Sequence, residues 1–393
     1  MKVAQINITS GKGSTGKICV AVSRLLTEKN IDNRIFYSQG TSDYPLSVCY
    51  QKPYEIKLNA LRSRLLGDWG FEARGVTKRL ISELTEYEPD IIHLHNLHGH
   101  NIHLGMLFEY IKKRKIKVYW TFHDCWAFTG YCPHYYMSGC DRWQTGCGSC
   151  PQKKSYSWLF DRSGELYKKK RALTENLDLT IITPSVWLME DVKKSFLKDY
   201  PVKVINNGID LDVFKPVKSG FREKYDLTDK KLILGVSFIW GRRKGLDVFL
   251  KLAANMPDDW RIVLVGTDEK TDSKLPGNII SIHKTNNQKE LAEIYTAADV
   301  FVNPTREEVL GLVNIEANAC GTPVVTFDTG GSPECVDVTC GIVTPTDDFG
   351  KLFDAIKSIC EGSPFTSDAC RNRSLMFDEN VKYREYVDLY LKG

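Results

Sequence analysis

Two glutamates, Glu308 and Glu316, lie where a strand pattern gives way to a helix pattern. Residues 298–302 form an apolar run that predicts a buried strand, and Gly311 opens a helical pattern that Gly321 ends. Ligands of open α/β sheets bind at the carboxyl ends of strands, and free N–H groups at a helix start attract phosphate. Carboxylates repel phosphate and accept hydrogen bonds from hydroxyl groups. The pair therefore predicts a pocket for a sugar nucleotide.

A histidine is placed at the equivalent edge of the first half of the chain. His123 and Asp124 follow the strand pattern of residues 117–122. An imidazole titrates near neutral pH and can donate to a leaving phosphate, although a purely structural histidine is the alternative. His93 and His95 alternate onto one side of another strand, but no cysteine or carboxylate accompanies them, which favours packing and ligand lining over a metal site.

Two further segments could handle anions. Arg242, Arg243 and Lys244 follow a strand pattern and could stabilise the charge of a departing diphosphate. Residues 11–17 nearly spell a P-loop, but Ile18 replaces the hydroxyl residue that would hold Mg²⁺, which argues against an NTPase. The backbone of this glycine-rich loop can still approach an anion, and a structural tight turn is the alternative.

Four of the twelve cysteines are clustered in the sequence. Cys132, Cys140, Cys147 and Cys150 are separated by seven, six and two residues. Four thiolates of this spacing could enclose a structural Zn²⁺, and free or reversibly paired thiols are the alternative in a reducing compartment. The same segment carries aromatic residues that could stack on sugar rings or form a structural cluster: Trp126, Phe128, Tyr131, Tyr135 and Trp143.

These candidates require a chain of alternating strands and helices, which predicts doubly wound parallel sheets. We expect a first domain over residues 1–205 with a cysteine-rich insertion at 125–151, and a linker at 206–216. A second domain follows over 217–378, and a terminal amphipathic helix over 379–393 crosses back to the first domain. Six strands are predicted in the first half and five in the second.

Composition and charge narrow the class of protein. The 393 residues have the composition of a globular protein, and no run approaches the ~20 apolar residues of a membrane span. We therefore expect a cytoplasmic protein that does not bind nucleic acid. Residues 1–205 carry 30 Lys and Arg against 20 Asp and Glu, whereas the remainder carries 23 against 29. The basic half could favour peripheral association with an anionic membrane face, and solvated helix faces are the alternative.

The string from Glu308 to Val325 resembles the retaining glycosyltransferases of family 4, which have the GT-B fold. The matching residues are Glu308, Gly311, Glu316, Ala317, Ala319, Gly321 and Pro323 to Val325, and Thr329-Gly-Gly-Ser-Pro-Glu334 follows as in that family. The residue before the first glycine is Leu310, where the family usually has an aromatic. The resemblance implies two Rossmann-like domains facing a central cleft.

The resemblance also implies roles for individual residues. The donor would be bound by Gly16, Lys244, Gly311, Leu312, Val313 and Glu316. Ile239 stands where the family usually has an arginine, so Arg243 is expected to substitute. His123 and Glu308 would act at the donor sugar, and Asp124, Trp126 and His98 on the acceptor side.

The implied activity is retaining transfer of a hexose. The donor would be a UDP- or GDP-sugar and the acceptor a saccharide or lipid-linked saccharide, in cell-surface polysaccharide synthesis. The resemblance implies no metal for the chemistry, with zinc only as a possible structural ion. Two alternatives remain: a sugar-nucleotide epimerase or phosphorylase on the same fold, and a zinc-stabilised binding protein with an inactive transferase body.

Overall fold

A computed structural model describes residues 1–392, which divide into two compact units. Unit 1 comprises residues 1–206 together with those from Tyr383 onward, and unit 2 comprises Asn207–Lys382. Unit 1 is therefore discontinuous in sequence, because its last helix is contributed by the far end of the described chain.

Unit 1 is built on a seven-stranded, wholly parallel sheet with the order β3-β2-β1-β4-β5-β6-β7. Its strands are β1 (Lys2–Asn7), β2 (Asp32–Tyr37), β3 (Ser47–Cys49), β4 (Ile91–Leu94), β5 (Lys117–Thr121), β6 (Leu179–Thr183) and β7 (Val202–Val204). The helices before residue 207 are α1 (Gly13–Glu28), α2 (Pro53–Leu66), α3 (Arg74–Tyr87), α4 (Leu104–Arg114), α5 (Lys153–Tyr156), α6 (Ser163–Thr174) and α7 (Val186–Lys194).

Unit 2 repeats this design with a six-stranded parallel sheet of order β10-β9-β8-β11-β12-β13. Its strands are β8 (Lys231–Val236), β9 (Trp260–Val265), β10 (Ile279–Ile282), β11 (Val300–Asn303), β12 (Val324–Phe327) and β13 (Gly341–Thr344). Its helices are α8 (Phe221–Lys224), α9 (Leu246–Ala253), α10 (Glu269–Asp272), α11 (Gln288–Ala297), α12 (Leu312–Ala319), α13 (Phe349–Gly362) and α14 (Ser367–Ser374).

The prediction of two Rossmann-like sheets is confirmed, with one strand more in each than the sequence indicated. The additional strands, β3 and β13, are both at an edge of their sheet. Edge strands are short and only half covered, so they lack the continuous apolar run that marks a buried strand.

The last helix, α15 (Glu379–Lys392), supplies part of the core of unit 1. Its buried side chains are Tyr383, Tyr386, Val387 and Tyr390, and they pack in one cluster with residues of β1, α1, β4, β5 and β6. The Tyr119 hydroxyl on β5 donates to the Leu389 carbonyl at 3.0 Å.

Within residues 1–392, no helix is both long and apolar enough to cross a bilayer.

Candidate functional site

In unit 2, a lysine and a glutamate meet at the carboxyl edge of the sheet. Lys244 ends a 3₁₀ turn after β8, and Glu308 lies on the loop after β11. The Lys244 Nζ donates to Glu308 Oε2 at 2.6 Å, with both side chains 21% exposed. This partly solvated ion pair places a cation and an acceptor together at the edge where open α/β sheets bind ligands.

Backbone geometry explains the glycines beside this pair. Gly245 has a φ of +75°, and a Cβ there would lie 2.5 Å from the Pro304 Cγ. The backbone at Gly245 therefore contacts the side chain of Pro304 in the other loop. Gly311 has a φ of +81° and precedes the first turn of α12. Left-handed conformations of this kind favour glycine. The sequence correctly predicted the start of this helix, which leaves the N–H groups of its first turn, including those of Leu312 and Val313, without partners inside the helix.

A buried tyrosine forms a hydrogen bond with the second glutamate of the pair. Tyr295 on α11 donates its hydroxyl to Glu316 Oε2 at 3.0 Å. Burial, together with the charge of Glu316, raises the pKa of Tyr295 well above its ordinary value, so the phenol keeps its proton and donates. The Tyr295 hydroxyl thus fixes the orientation of the Glu316 carboxylate on α12.

An arginine that the sequence analysis did not single out anchors the Glu308 loop. Arg306 forms two hydrogen bonds with Asp247 on α9, at 2.9 and 2.8 Å, and its Nε donates to Asp347 at 2.7 Å. Its side chain is 9% exposed. Because a guanidinium binds carboxylates in a fixed planar geometry, this network fixes the loop between Pro304 and Glu308. Arg243, the predicted phosphate ligand, is half-buried, and its carbonyl accepts the Arg306 N–H at 2.8 Å.

In unit 1, histidines form the corresponding site. His95 Nδ1 and His123 Nε2 are 3.1 Å apart, and their rings are stacked at 5.4 Å between centroids. The rings of His93 and His95 pack with 4.0 Å between their centroids. His93 is also hydrogen-bonded to Thr121 at 2.8 Å and to the Tyr390 hydroxyl. A continuous row of rings therefore connects α15 to His123.

Burial removes charge from this row. The pKa of His123 is lowered to about 4, chiefly by burial, and that of His93 to about 3 for the same reason. The expectation that His123 titrates near neutral pH is therefore wrong. At neutral pH the ring is uncharged, so it can donate a hydrogen bond but cannot act as a cationic acid.

Asp124 and His98 lie beside this row and contact each other. His98 Nε2 is 2.7 Å from Asp124 Oδ2, and the other carboxylate oxygen accepts the Trp126 N–H at 2.9 Å. Burial would raise the pKa of Asp124, but His98, His134 and the Trp126 N–H outweigh it and hold that pKa at about 2. Asp124 is therefore ionised at any working pH.

The aromatic residues of the cysteine-rich segment fill a core. Trp126 is 1% exposed, and Phe128, Tyr131, Tyr135 and Trp143 are also buried. The prediction that Trp126 lines the acceptor side is therefore not supported, because its ring is covered. Lys170 on α6 lies 3.6 Å from the centroid of that ring and donates to the carbonyls of Trp126 and Thr129 at 2.7 and 3.1 Å.

Cys140, Cys147 and Cys150 all lie close enough to Cys132 to affect its thiol electrostatically. All four are free thiols, and residues 1–392 contain no group of three or more His, Cys, Asp or Glu arranged to hold a metal ion. Burial and the neighbouring thiols raise the pKa of Cys132 to about 12. Without a metal ion these thiols stay protonated, and binding of zinc would release their protons. The structural zinc ion and the free thiols therefore both stay predictions.

Gly16 lies in the first turn of α1 and is buried. The Gly11 N–H donates to its carbonyl at 2.9 Å, which closes the glycine-rich loop after β1. The loop thus ends at the start of a helix, as the sequence indicated.

The fold resembles that of solved glycosyltransferases over the whole chain. Sucrose-phosphate synthase from Thermosynechococcus elongatus superposes with a TM-score of 0.72 at 19% identity, covering 100% of this chain and 98% of that one. The Anabaena protein HepE, solved with UDP-glucose, gives 0.68 at 16% identity and covers 100% of both chains. The two sheets and these likenesses define the GT-B fold.

Sequence comparison assigns the family. The profile of "Glycosyltransferase Family 4" matches residues 16–213, half of the chain, and that of "Glycosyl transferases group 1" matches residues 230–361. The chain belongs to glycosyltransferase family 4, and it is a glycosyltransferase.

Two curated relatives illustrate the range of the match. WcaC of Escherichia coli K12, a glycosyl transferase named for colanic acid biosynthesis, is 22% identical over 99% of both chains. The D-inositol 3-phosphate glycosyltransferase of Mycolicibacterium smegmatis is 30% identical, but the match covers only 42% of this chain and 41% of that relative. Neither the epimerase or phosphorylase alternative nor the inactive binding protein gains support from these comparisons.

Proposed function

We propose that the protein transfers a hexose, with retention of configuration, from a UDP- or GDP-sugar to a saccharide or lipid-linked saccharide in cell-surface polysaccharide synthesis. The observation that carries this proposal is the arrangement in unit 2, where Lys244 is paired with Glu308 and Glu316 is oriented by Tyr295. HepE was solved with UDP-glucose, and the name of WcaC refers to a polysaccharide, which supports the donor and the pathway class.

Each group in unit 2 has a role that follows from its charge. Lys244, assisted by Arg243 and by the first-turn N–H groups of α12 at Leu312 and Val313, would neutralise the diphosphate as it leaves. Glu316 would accept hydrogen bonds from the ribose. Glu308 would bind the sugar hydroxyls and keep Lys244 in position. Its role would be that of a positioning residue, not of a nucleophile. None of these steps requires a metal ion.

In unit 1, Gly16 would approach the donor through its backbone, and His98 and Asp124 would bind the acceptor. His123 would donate an N–H to the donor sugar.

Both His95 and His123 are neutral, so only one of them donates in the hydrogen bond between them. If His123 donated, His95 would carry its proton on Nε2, which is buried without an acceptor. We infer that His95 Nδ1–H donates, because a buried unpaired N–H is the rarer and costlier arrangement.

Because His95 donates in this hydrogen bond, His123 Nε2 is the acceptor and the His123 proton lies on Nδ1. Long-range ¹H–¹⁵N correlation of the imidazole nitrogens at neutral pH should show a protonated Nδ1 on His123, and His123→Ala should remove that signal. A protonated Nε2 would contradict the role given to His95. We also expect His123→Ala to lower kcat more than donor affinity, since its bond is assigned to the reacting sugar.

Donor binding tests the proposal as a whole. Thermal stabilisation by UDP-, GDP-, ADP- and dTDP-sugars should identify one donor class, because a ligand that binds only the folded state raises the melting temperature. Glu316→Gln should lower the affinity for that donor by roughly tenfold, because one charge-assisted hydrogen bond is lost. Glu293→Gln, an exposed glutamate on neighbouring α11, is the matched control. Equal stabilisation of the wild type and Glu316→Gln would remove the ribose role.

The reaction itself is tested by the product. Turnover should require an added acceptor, which separates a transferase from an epimerase. The new linkage should have the anomeric configuration of the donor, and inversion would overturn the proposed stereochemistry.

A further inference from the structure

Helix α2 has the reverse of the usual amphipathic pattern. Tyr54, Leu58, Leu61 and Leu65 follow one another at helical spacing, and each is between 37% and 60% exposed. The opposite side is covered: Ser63 is buried, Ile56 is half-buried, and Asn59 donates to the His100 carbonyl at 3.1 Å. A helix normally buries its leucines.

A second exposed apolar segment lies against the end of this helix. Trp158, Leu159 and Phe160 are each at least 50% exposed. The Trp158 N–H donates to the Arg64 carbonyl at 2.7 Å, and the Arg64 guanidinium donates to the Ser155 carbonyl. The turn is therefore fixed to the carboxyl end of α2, and the two segments form one surface.

We call this surface the α2 patch. It consists of Tyr54, Leu58, Leu61, Leu65, Leu66, Trp158, Leu159 and Phe160. Contiguous apolar residues on a protein surface mark an interaction site, whereas single ones do not. The leucines of the α2 patch lie on the solvent-exposed side of this helix.

The charges around the α2 patch are predominantly positive. Residues 52–66 and 153–162 together contain seven Lys and Arg against two Asp and Glu. One of the two acids, Glu55, is bonded to Arg79. Lys57 and Lys154 are exposed beside the patch. Apolar and aromatic side chains with a basic rim are the combination that an anionic bilayer surface binds, since the leucines enter the acyl boundary and the cations meet the headgroups.

We propose that the α2 patch docks unit 1 onto an anionic lipid bilayer. The inference rests on the proposed function, in which the acceptor can be lipid-linked, and it adds the surface that contacts the membrane. Charge complementarity selects the lipid over a second copy of the chain, because two α2 patches facing each other would bring their basic rims together.

Flotation of the full chain with vesicles tests this directly. The protein should bind vesicles of phosphatidylethanolamine and phosphatidylglycerol, and bind phosphatidylcholine vesicles at least tenfold more weakly, as expected for a basic rim. Leu58→Gln/Leu61→Gln should reduce binding to the anionic vesicles by about tenfold or more. The matched control is Val338→Gln/Val381→Gln, two exposed apolar residues of unit 2.

Two further measurements keep the outcomes separable. Lys57→Gln/Lys154→Gln should weaken binding and lower its salt dependence, because both lysines lie on the rim. Addition of anionic vesicles should shift tryptophan emission to the blue, and Trp158→Phe should reduce that shift. Circular dichroism and the melting temperature of each variant establish that it is folded.

Equal binding by the wild type and Leu58→Gln/Leu61→Gln would overturn the proposal. So would self-association of the wild type that this double variant abolishes without any vesicle binding, which would assign the patch to a second copy. Donor-induced thermal stabilisation is read without vesicles, so failure of membrane binding and failure of the proposed transfer reaction are distinguishable.

Discussion

The two units place polar residues at equivalent edges of similar sheets, but they stabilise them by opposite means. Unit 1 carries seven of the eight histidines, and its central row is neutral because His93 and His95 are buried and the half-buried His123 packs against them. Unit 2 keeps its charges and pairs them, as Lys244 with Glu308 and Arg306 with Asp247 and Asp347. One sheet edge is organised by desolvation and the other by ion pairing.

The difference fits the chemistry proposed for each unit. A departing diphosphate develops negative charge, which fixed cations stabilise. Sugar hydroxyl groups carry no charge, so neutral imidazoles can bind them, and the ionised carboxylate of Asp124 can accept hydrogen bonds from them. The comparison therefore predicts different responses of the two units to pH and to substitution.

Acidification should produce the largest effect, and it should begin in unit 1. The folded pKa values of His123 and His93 are about 4 and about 3, below the ~6.5 of an unfolded chain. The unfolded state binds protons first, so the stability that the neutral rings provide is fully present above about pH 6.5 and is lost as the pH falls towards 4. We expect each of the two rings to contribute a loss of about 3 kcal/mol in this window.

Hydrogen exchange resolved by peptide would measure this loss unit by unit. Amides of β4 and β5 should lose protection between about pH 6.5 and pH 4 before those of β8 and β11. His93→Gln, which can still bond Tyr390 and Thr121, should reduce the pH dependence of unit 1. If both units lost protection together in the wild type, the comparison would fail.

Lys170 is a buried amine of unit 1, and its removal should have an intermediate effect. This buried cation donates to three carbonyls and lies over Trp126, and burial lowers its pKa to about 7. Lys170→Met keeps the shape but leaves the carbonyls without their donor, so we expect a loss of about 2 kcal/mol in the free energy of unfolding. Lys169→Met, about half exposed, is the control and should cost much less. An unchanged denaturation midpoint for Lys170→Met would show that the ammonium is dispensable.

The smallest effect is expected for Arg306→Lys in unit 2. A lysine keeps the charge but cannot make the paired bonds with Asp247, so the unfolding free energy should fall by about 1 kcal/mol. Arg242→Lys, on an exposed side chain of the neighbouring turn, is the matched control. Urea denaturation of both variants would measure the difference, and equal midpoints would show that charge alone holds the loop.

Local sequence was sufficient to locate Glu308, Gly311 and Glu316, because the strand, the helix start and both carboxylates lie within one continuous string. It could not reveal the network of Arg306, since Asp247 and Asp347 are distant in sequence and nothing in either segment points to the other. Tyr295 was missed for the same reason.

Burial was the second quantity that the sequence left open. An aromatic such as Trp126 in a loop segment can stack on a ligand or fill a core, and only the packing around it distinguishes the two. The lowered pKa of His123 also depends on burial by distant segments, whereas the sequence supplies only the ordinary value of an imidazole. The leucines of α2 fall in a stretch whose pattern gave no sign of which side is covered.

The contribution of α15 to unit 1 has a consequence for how the protein is made. Tyr383, Tyr386 and Tyr390 fill the core around Val3 and Tyr119, yet roughly 180 residues of unit 2 are translated between them and the rest of that core. At a synthesis rate of about 5–20 residues per second, the first sheet emerges roughly ten to thirty seconds before its last helix. During that interval the nascent chain exposes the groove that α15 will occupy, so the core of unit 1 can close only after unit 2 has been synthesised.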